Sequence, residues 1–95
     1  MIQKILENSI KTALANLGID EVKISKINLE HPEDISHGDY ASNIAMVVAK
    51  QISQNPRELA GKIVAEILER KPEEISKVEV AGPGFINFYL SNDFC

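Results

Sequence analysis

The residues with the most chemical potential lie near the carboxyl end of the chain, in a run of β-forming residues at positions 85–90. Because successive side chains of a strand point to opposite faces, one face of this run carries two aromatic rings flanking a carboxamide: Phe85, Asn87 and Tyr89. Aromatic rings stack on unpaired bases with about 1–3 kcal/mol per base, and a carboxamide can donate and accept along a base edge. The pattern therefore suits an unpaired base, provided that Phe85 and Asn87 project together into solvent. The alternative is that the rings only cover sheet edges while Asn87 caps a neighbouring strand.

A second polar group lies in an earlier segment, at His31, Asp34, His37 and Asp39. Such side chains could bind a metal ion or transfer protons, and a small metal-dependent enzyme would use His31, His37 and Asp39. Their spacing matches no common metal motif, however, and the surrounding residues are turn formers. We therefore favour a polar loop whose Gly38 and Asp39 shape the entry to a helix, and we expect no metal ligand and no catalytic residue in it.

No other motif indicates catalysis. The segment at residues 82–84 has only two glycines of a dinucleotide fingerprint, and Pro83 has no amide to offer a phosphate, so we interpret it as a turn. The sequence contains neither a nucleophile elbow nor a phosphate-binding loop signature. We expect no catalysis by this chain alone and no cofactor bound to it.

Composition limits the possible functions further. The 95 residues, 44% of them hydrophobic, suffice for one core, so a single domain is expected over residues 1–95. The net charge is 10 − 14 = −4, which argues against a basic protein that coats DNA or RNA non-specifically. Apolar runs are far shorter than the roughly 20 residues that cross a bilayer, so no membrane partner is expected. The lone cysteine, Cys95, excludes a disulfide framework and indicates a reducing, cytoplasmic setting.

Apolar residues at steps of three and four predict three helices that would position these side chains. The first spans about residues 2–17 and ends at Gly18, because glycine adopts a left-handed backbone without steric cost. The second begins near Ser42, and the third begins at the N-cap Asn55, which a proline follows at the first helical position.

Alternating residues predict the strands. One is expected at about 26–30, either within a bulged strand from residue 22 or after a loop, and two more flank the turn to form a hairpin over 77–80 and 85–90. The order of elements predicts an α+β fold, a two-layer sandwich in which helices pack on one face of a small antiparallel sheet and leave the other face free.

Several stretches resemble a known family, the N-terminal additional domain of arginyl-tRNA synthetase. Residues 37–46, HGDYASNIAM, resemble that family's HGDYA(T/S)N(V/I)AM signature, and residues 80–90, VAGPGFINFYL, resemble its AGPGFINF hairpin. Residues 55–57, NPR, open a helix as they do in the family. The motifs occur in the family's order, and the resemblance covers nearly the whole chain.

The resemblance implies a tRNA-contacting accessory domain of a cytoplasmic class I ligase that joins arginine to tRNA(Arg) using ATP and Mg²⁺. It also implies that the chain is a fragment, followed in the same polypeptide by the catalytic domain that holds the ATP motif. In the family an aromatic ring and an amide two positions later read a D-loop nucleotide of the tRNA, and this pair maps onto Phe85 and Asn87. Tyr89 continues the same face and is predicted to contact the tRNA as well, although the family pattern assigns it no clear role.

A function of a different class remains open on the residues alone. The same exposed aromatic residues would suit a docking module that packs against another domain or protein without direct RNA readout.

Overall fold

The computed structural model describes residues 1–19 and 26–92. Within these residues the elements are three α helices, a short 3-10 helix and three strands, in chain order α1 (Ile2–Asn16), the 3-10 helix (Ile35–His37), β1 (Tyr40–Ser42), α2 (Ile44–Ile52), α3 (Pro56–Glu69), β2 (Ile75–Ala81) and β3 (Phe85–Leu90). The predicted α+β class is confirmed.

Gly18 ends the first helix as predicted. Its φ of 76° lies in the left-handed region. The backbone N–H of Gly18 donates to the Ala15 carbonyl at 3.0 Å, and that of Ile19 donates to the Leu14 carbonyl at 2.8 Å. This pair of bonds is the Schellman closure of a helix, which satisfies carbonyls that the last turn leaves without partners. The chain therefore leaves the helix axis directly after α1, which packs on α3.

The third helix begins with a side-chain cap, whereas Asn43, the N-cap residue of the second helix, makes no side-chain cap hydrogen bond. Asn55 Oδ1 accepts a hydrogen bond from the Glu58 N–H at 2.9 Å, and Pro56 occupies the first turn as predicted. Ser42, the predicted start of the second helix, is the last residue of β1, and its hydroxyl oxygen accepts a hydrogen bond from the Ile44 N–H at 3.2 Å. Each bond satisfies an N–H for which a helix has no internal partner.

The sheet has the strand order β1-β3-β2 with antiparallel pairs, so β3 is the central strand. The predicted hairpin of β2 and β3 is confirmed, with Ala81 opposite Phe85. Gly82 and Gly84 both have positive φ values, 53° and 140°, which glycine adopts at no steric cost. A Cβ on Gly84 would lie 3.1 Å from the Pro56 backbone, so the hairpin turn packs closely on the start of α3.

The predicted strand at residues 26–30 is wrong. Only Glu30 pairs, in an isolated bridge with Ala41 of β1, and residues 26–29 have no regular structure. Ile27 is only 4% exposed, so the alternation there reflects burial and not strand pairing. The earlier part of the predicted strand, residues 22–25, lies outside the described residues.

The helices cover the face of the sheet that carries Ile86 and Phe88, both fully buried. The expectation that the opposite face is free is wrong in part, because residues 30–39 fold over it. Gly38 allows this approach, since a Cβ there would lie 2.7 Å from the Phe88 carbonyl oxygen. The next residue, Asp39, donates its N–H to the same oxygen at 2.8 Å. The loop and the sheet therefore enclose a space between them.

Candidate functional site

A pocket of about 420 Å³ lies on the sheet face opposite the helices. Its lining comes from residues 30–32 and His37 of the loop, from Ala41 of β1, and from residues 81–83, Phe85 and Asn87 of the hairpin. This volume falls in the range of about 300–1,000 Å³ that is typical of small-ligand sites. The structure thus brings two of the three hairpin residues predicted to contact tRNA, Phe85 and Asn87, into one concave site with the polar loop.

Asn87 lines this pocket and is only 4% exposed. The expectation that it projects into solvent is therefore wrong, although it shares a face and a pocket with Phe85. It is buried because the central strand places it between Ala41 and Glu79 of the flanking strands. Among the described residues its carboxamide has no hydrogen-bond partner, and no polar side-chain atom there is both unsatisfied and fully inaccessible. The carboxamide is therefore available to whatever enters the pocket.

Phe85 is the exposed member of the pair, with 40% of its surface accessible. It begins β3 directly after the turn, and its ring carbon Cδ2 lies 3.8 Å from where a Cβ on Gly82 would be. The Arg57 guanidinium donates a hydrogen bond to the Gly82 carbonyl and so ties the turn to α3. A partly exposed ring on a turn held in this way offers a preformed stacking surface at the pocket.

Tyr89 lies on the same sheet face but does not line the pocket. Its hydroxyl oxygen is 2.8 Å from the Ser36 carbonyl and 2.8 Å from Glu79 Oε1, so its single proton is shared between two acceptors. Lys77 Nζ lies 4.6 Å from the centre of the Tyr89 ring. Tyr89 therefore ties the 3-10 helix to the sheet and positions the loop beside the pocket. Its predicted direct contact with RNA stays a prediction.

These contacts change the acidity of the groups involved. The Tyr89 hydroxyl lowers the pKa of Glu79 and the Glu79 carboxylate raises the pKa of Tyr89, because their bond is strongest with the acid charged and the phenol protonated. The Ser36 N–H, 2.9 Å from Asp34 Oδ1, lowers the pKa of Asp34 in the same way. The bond between Asp34 and Ser36 lies within the loop, whereas the bond between Tyr89 and Glu79 joins β3 to β2.

The two histidines of the polar loop line the pocket, whereas its two aspartates have structural roles. Asp34 caps the 3-10 helix, and Asp39 Oδ2 accepts a hydrogen bond from the Leu90 N–H at 2.8 Å. Across residues 1–19 and 26–92, no three His, Cys, Asp or Glu side chains lie close enough to hold a metal ion. The segment forms a loop, as the turn-forming residues predict, and it is also one wall of the pocket, facing Asn87, which the sequence does not reveal.

The sequence analysis assigned none of the remaining pocket residues to a site, among them Glu30 before the loop, Ala41 of β1 and Ala81 of β2. For Glu30, the one available sequence signal was the alternation near residues 26–30. That alternation did not indicate that Glu30 pairs with Ala41 of β1. A second cavity, of about 280 Å³, lies between α1 and α3 and contains none of the predicted site residues. No helix in the described ranges is long and apolar enough to span a membrane.

The chain matches known proteins along nearly its whole length. The family model described as "Arginyl tRNA synthetase N terminal domain" matches residues 4–90. The arginine–tRNA ligase of Listeria welshimeri is 44% identical over 91 residues, which are 96% of this chain and 16% of that protein. The arginine–tRNA ligase of Bacillus subtilis is 39% identical over 94 residues, 98% of this chain and 17% of that protein. The chain thus spans only 16–17% of the length of these two relatives.

Two solved structures share the arrangement of helices and strands. The Thermus thermophilus arginyl-tRNA synthetase superposes with a TM-score of 0.79 at 22% identity, over 98% of this chain and 14% of that chain. The Plasmodium falciparum arginyl-tRNA synthetase gives a TM-score of 0.71 at 19% identity, over 98% of this chain and 16% of that chain. At these identities the likeness is one of fold.

Proposed function

Because the chain belongs to the family of arginyl-tRNA synthetase N-terminal domains, we propose that it contacts tRNA(Arg) as an accessory domain of such an enzyme. An unpaired D-loop nucleotide places its base in the pocket on the sheet, where Phe85 stacks on it and Asn87 bonds its edge. The catalytic domain of the same polypeptide carries out arginylation with ATP and Mg²⁺ in the cytoplasm. The accessory domain itself takes no part in the chemistry.

The observation that supports this proposal most strongly is the burial of an unpartnered carboxamide. Asn87 is 4% exposed and has no hydrogen-bond partner among the described residues, yet it lines an open pocket. The carboxamide atoms are accessible from the pocket, so a base edge that enters it can replace solvent there with direct hydrogen bonds. An exposed aromatic ring in the same pocket then supplies stacking.

The proposal predicts that Asn87→Ala lowers kcat/KM for tRNA and leaves the binding of arginine and ATP unchanged. Losing one good base contact costs about 1–3 kcal/mol, so kcat/KM for tRNA should fall roughly 5- to 150-fold. The KM values for arginine and ATP should not change, because those substrates bind in the catalytic domain. The measurement is aminoacylation kinetics with a full-length synthetase that carries this chain at its amino end.

Two controls separate this effect from misfolding. Asn16→Ala makes the same chemical deletion on the exposed end of α1 and should leave tRNA kinetics unchanged. Phe88→Ala should destabilise the fold by about 3–5 kcal/mol, because its ring is fully buried under the helices. If Asn87→Ala leaves tRNA kinetics intact but loosens the attachment to the catalytic domain, the chain is a docking module and the proposed function is wrong.

A further inference from the structure

The hydrogen bond that His31 makes to the loop backbone determines which of its ring nitrogens donates and which accepts. Its Nδ1 lies 3.0 Å from the Asp39 carbonyl oxygen. A carbonyl oxygen only accepts hydrogen bonds, so Nδ1 must be the donor and must carry a proton. In the imidazole with a single proton, Nε2 is then bare and can only accept.

The surroundings hold this arrangement in place. Asp39 is fixed at both its backbone and its side chain, since its N–H donates to Phe88 and its carboxylate accepts from Leu90, each at 2.8 Å. The His31 ring rests against Tyr40, with the ring centres 4.4 Å apart and the planes at 37°. The carbonyl that selects the protonated nitrogen is therefore held by two hydrogen bonds, and a half-turn of the imidazole would lose the bond to that carbonyl while the ring stayed against Tyr40.

The donor and acceptor ends of the Asn87 carboxamide are not fixed in this way. The carboxamide has no partner among the described residues and can turn over to exchange its oxygen for its NH₂ group. It can therefore bond a donor or an acceptor on a base edge with equal ease. Glu30, whose carboxylate accepts only, lines the same pocket as His31 and Asn87.

We propose that His31 is a specificity-determining residue of the pocket, and that its Nε2 accepts a hydrogen bond from the exocyclic amine of the bound base. This inference rests on the proposed function and names the base chemistry that the site selects. An NH₂ group has two hydrogens to donate, one for His31 Nε2 and one for the Glu30 carboxylate. Uracil has a single N–H to donate. The pocket accordingly favours an amine-bearing base over uracil.

The first test is spectroscopic and needs no RNA. Nitrogen-15 NMR of the 95-residue chain, at a pH where the ring has one proton, should show His31 protonated at Nδ1 and bare at Nε2. The opposite tautomer would leave the pocket facing a donor and would overturn the proposal.

The second test compares cytidine with uridine, which differ in the amine on the pyrimidine ring. Each unpaired D-loop position of a tRNA(Arg) transcript is changed to either nucleotide, and kcat/KM is measured with a full-length synthetase that carries this chain. At the position that enters the pocket, cytidine should be preferred by roughly 5- to 150-fold. In the His31→Phe variant, which keeps a ring against Tyr40, the preference should fall to near unity.

Two further variants separate selectivity from folding and from the proposed function. His31→Gln can still form hydrogen bonds but can reverse their polarity, so the ratio of kcat/KM for the cytidine transcript to that for the uridine transcript should fall to near unity. Asn87→Ala should lower kcat/KM for both transcripts and keep their ratio. If Asn87→Ala acts in this way and His31→Gln still prefers cytidine, the role of His31 is wrong and the proposed function stands. If no pocket variant alters tRNA kinetics, both are wrong.

Discussion

Ser42 and Asn87 are the buried polar residues of the described part of the chain, and their surroundings differ. The Ser42 hydroxyl accepts a hydrogen bond from the Ile44 N–H, so its burial serves the start of α2. Asn87 has no equivalent partner among the described residues. An unsatisfied buried polar group costs about 1–3 kcal/mol, and solvent in the pocket offsets part of this cost for Asn87. Its carboxamide thus contributes little to folding and remains available for binding.

The hydrogen bond between Tyr89 and Glu79 should shape the pH dependence of stability. The pKa of Glu79 lies below its ordinary value of 4.5 and that of Tyr89 lies above its ordinary value of 10.0, in each case mainly because of this bond. The bond therefore stabilises the fold fully between those values, and its contribution is lost as the pH falls through the lowered pKa or rises through the raised one. In Tyr89→Phe the free energy of unfolding should therefore change less with pH, at both the acidic and the alkaline end. Urea unfolding at a series of pH values measures this.

Asp34 provides an internal control for that measurement. Its pKa is lowered mainly by the Ser36 N–H, so in Tyr89→Phe its contribution should persist and be lost as the pH falls below the ordinary value of 3.8. A variant whose curve matches that of the unmodified chain at both extremes would mean that Tyr89 does not bond Glu79 in solution.

At the scale of elements, the site depends on how closely the loop of residues 30–39 approaches β3. Gly38 has a φ of 98°, and a Cβ there would lie 2.7 Å from the Phe88 carbonyl oxygen. The bonds from Asp39 to β3 and from Tyr89 to Ser36 hold the loop on either side of this contact. The pocket wall is therefore set by the close backbone approach at Gly38 together with these hydrogen bonds.

Gly38→Ala should destabilise the chain and displace the loop. A non-glycine residue at such a φ costs about 1–3 kcal/mol, and the clash with the β3 backbone adds to this. Gly61→Ala is the matched control, because its Cβ would meet nothing within 4 Å and it lies in α3. That variant should gain about 1 kcal/mol from helix propensity. Denaturant unfolding of both variants measures the difference, and equal stabilities would show that the loop does not rest on β3.

The helices and the hairpin could be predicted from sequence because their signals are local. Gly18, the Asn55 cap and the alternation after residue 84 each determine structure within a few neighbours. β1 has only three residues, too few for a visible alternation, and its pairing with β3 joins positions far apart in sequence. For the same reason, the shared face of Phe85 and Asn87 was predictable, whereas the burial of Asn87 beside the loop was not.

The whole molecule carries a net charge of −4, from 10 basic and 14 acidic residues. Favourable interaction with RNA phosphates grows with the number that are neutralised, so an acidic domain relies on a few specific contacts. Joined to a catalytic domain that also binds the tRNA, such a domain acts at high effective concentration, which can raise overall affinity by about 10²–10⁴-fold. Weak intrinsic binding is therefore compatible with a role in the full enzyme.

The chain by itself should consequently bind tRNA(Arg) no more tightly than about 10⁻⁴ M at physiological salt, near the weak end of non-specific binding. Chemical-shift mapping of the labelled chain with added tRNA measures both the affinity and the surface. The shifts should concentrate at Phe85, Asn87 and His31, and Asn87→Ala should reduce them. Titration of the matched Asn16→Ala variant should reproduce the unmodified pattern. Nanomolar affinity, or shifts confined to the cavity between α1 and α3, would place the RNA contact elsewhere and require a different mode of binding.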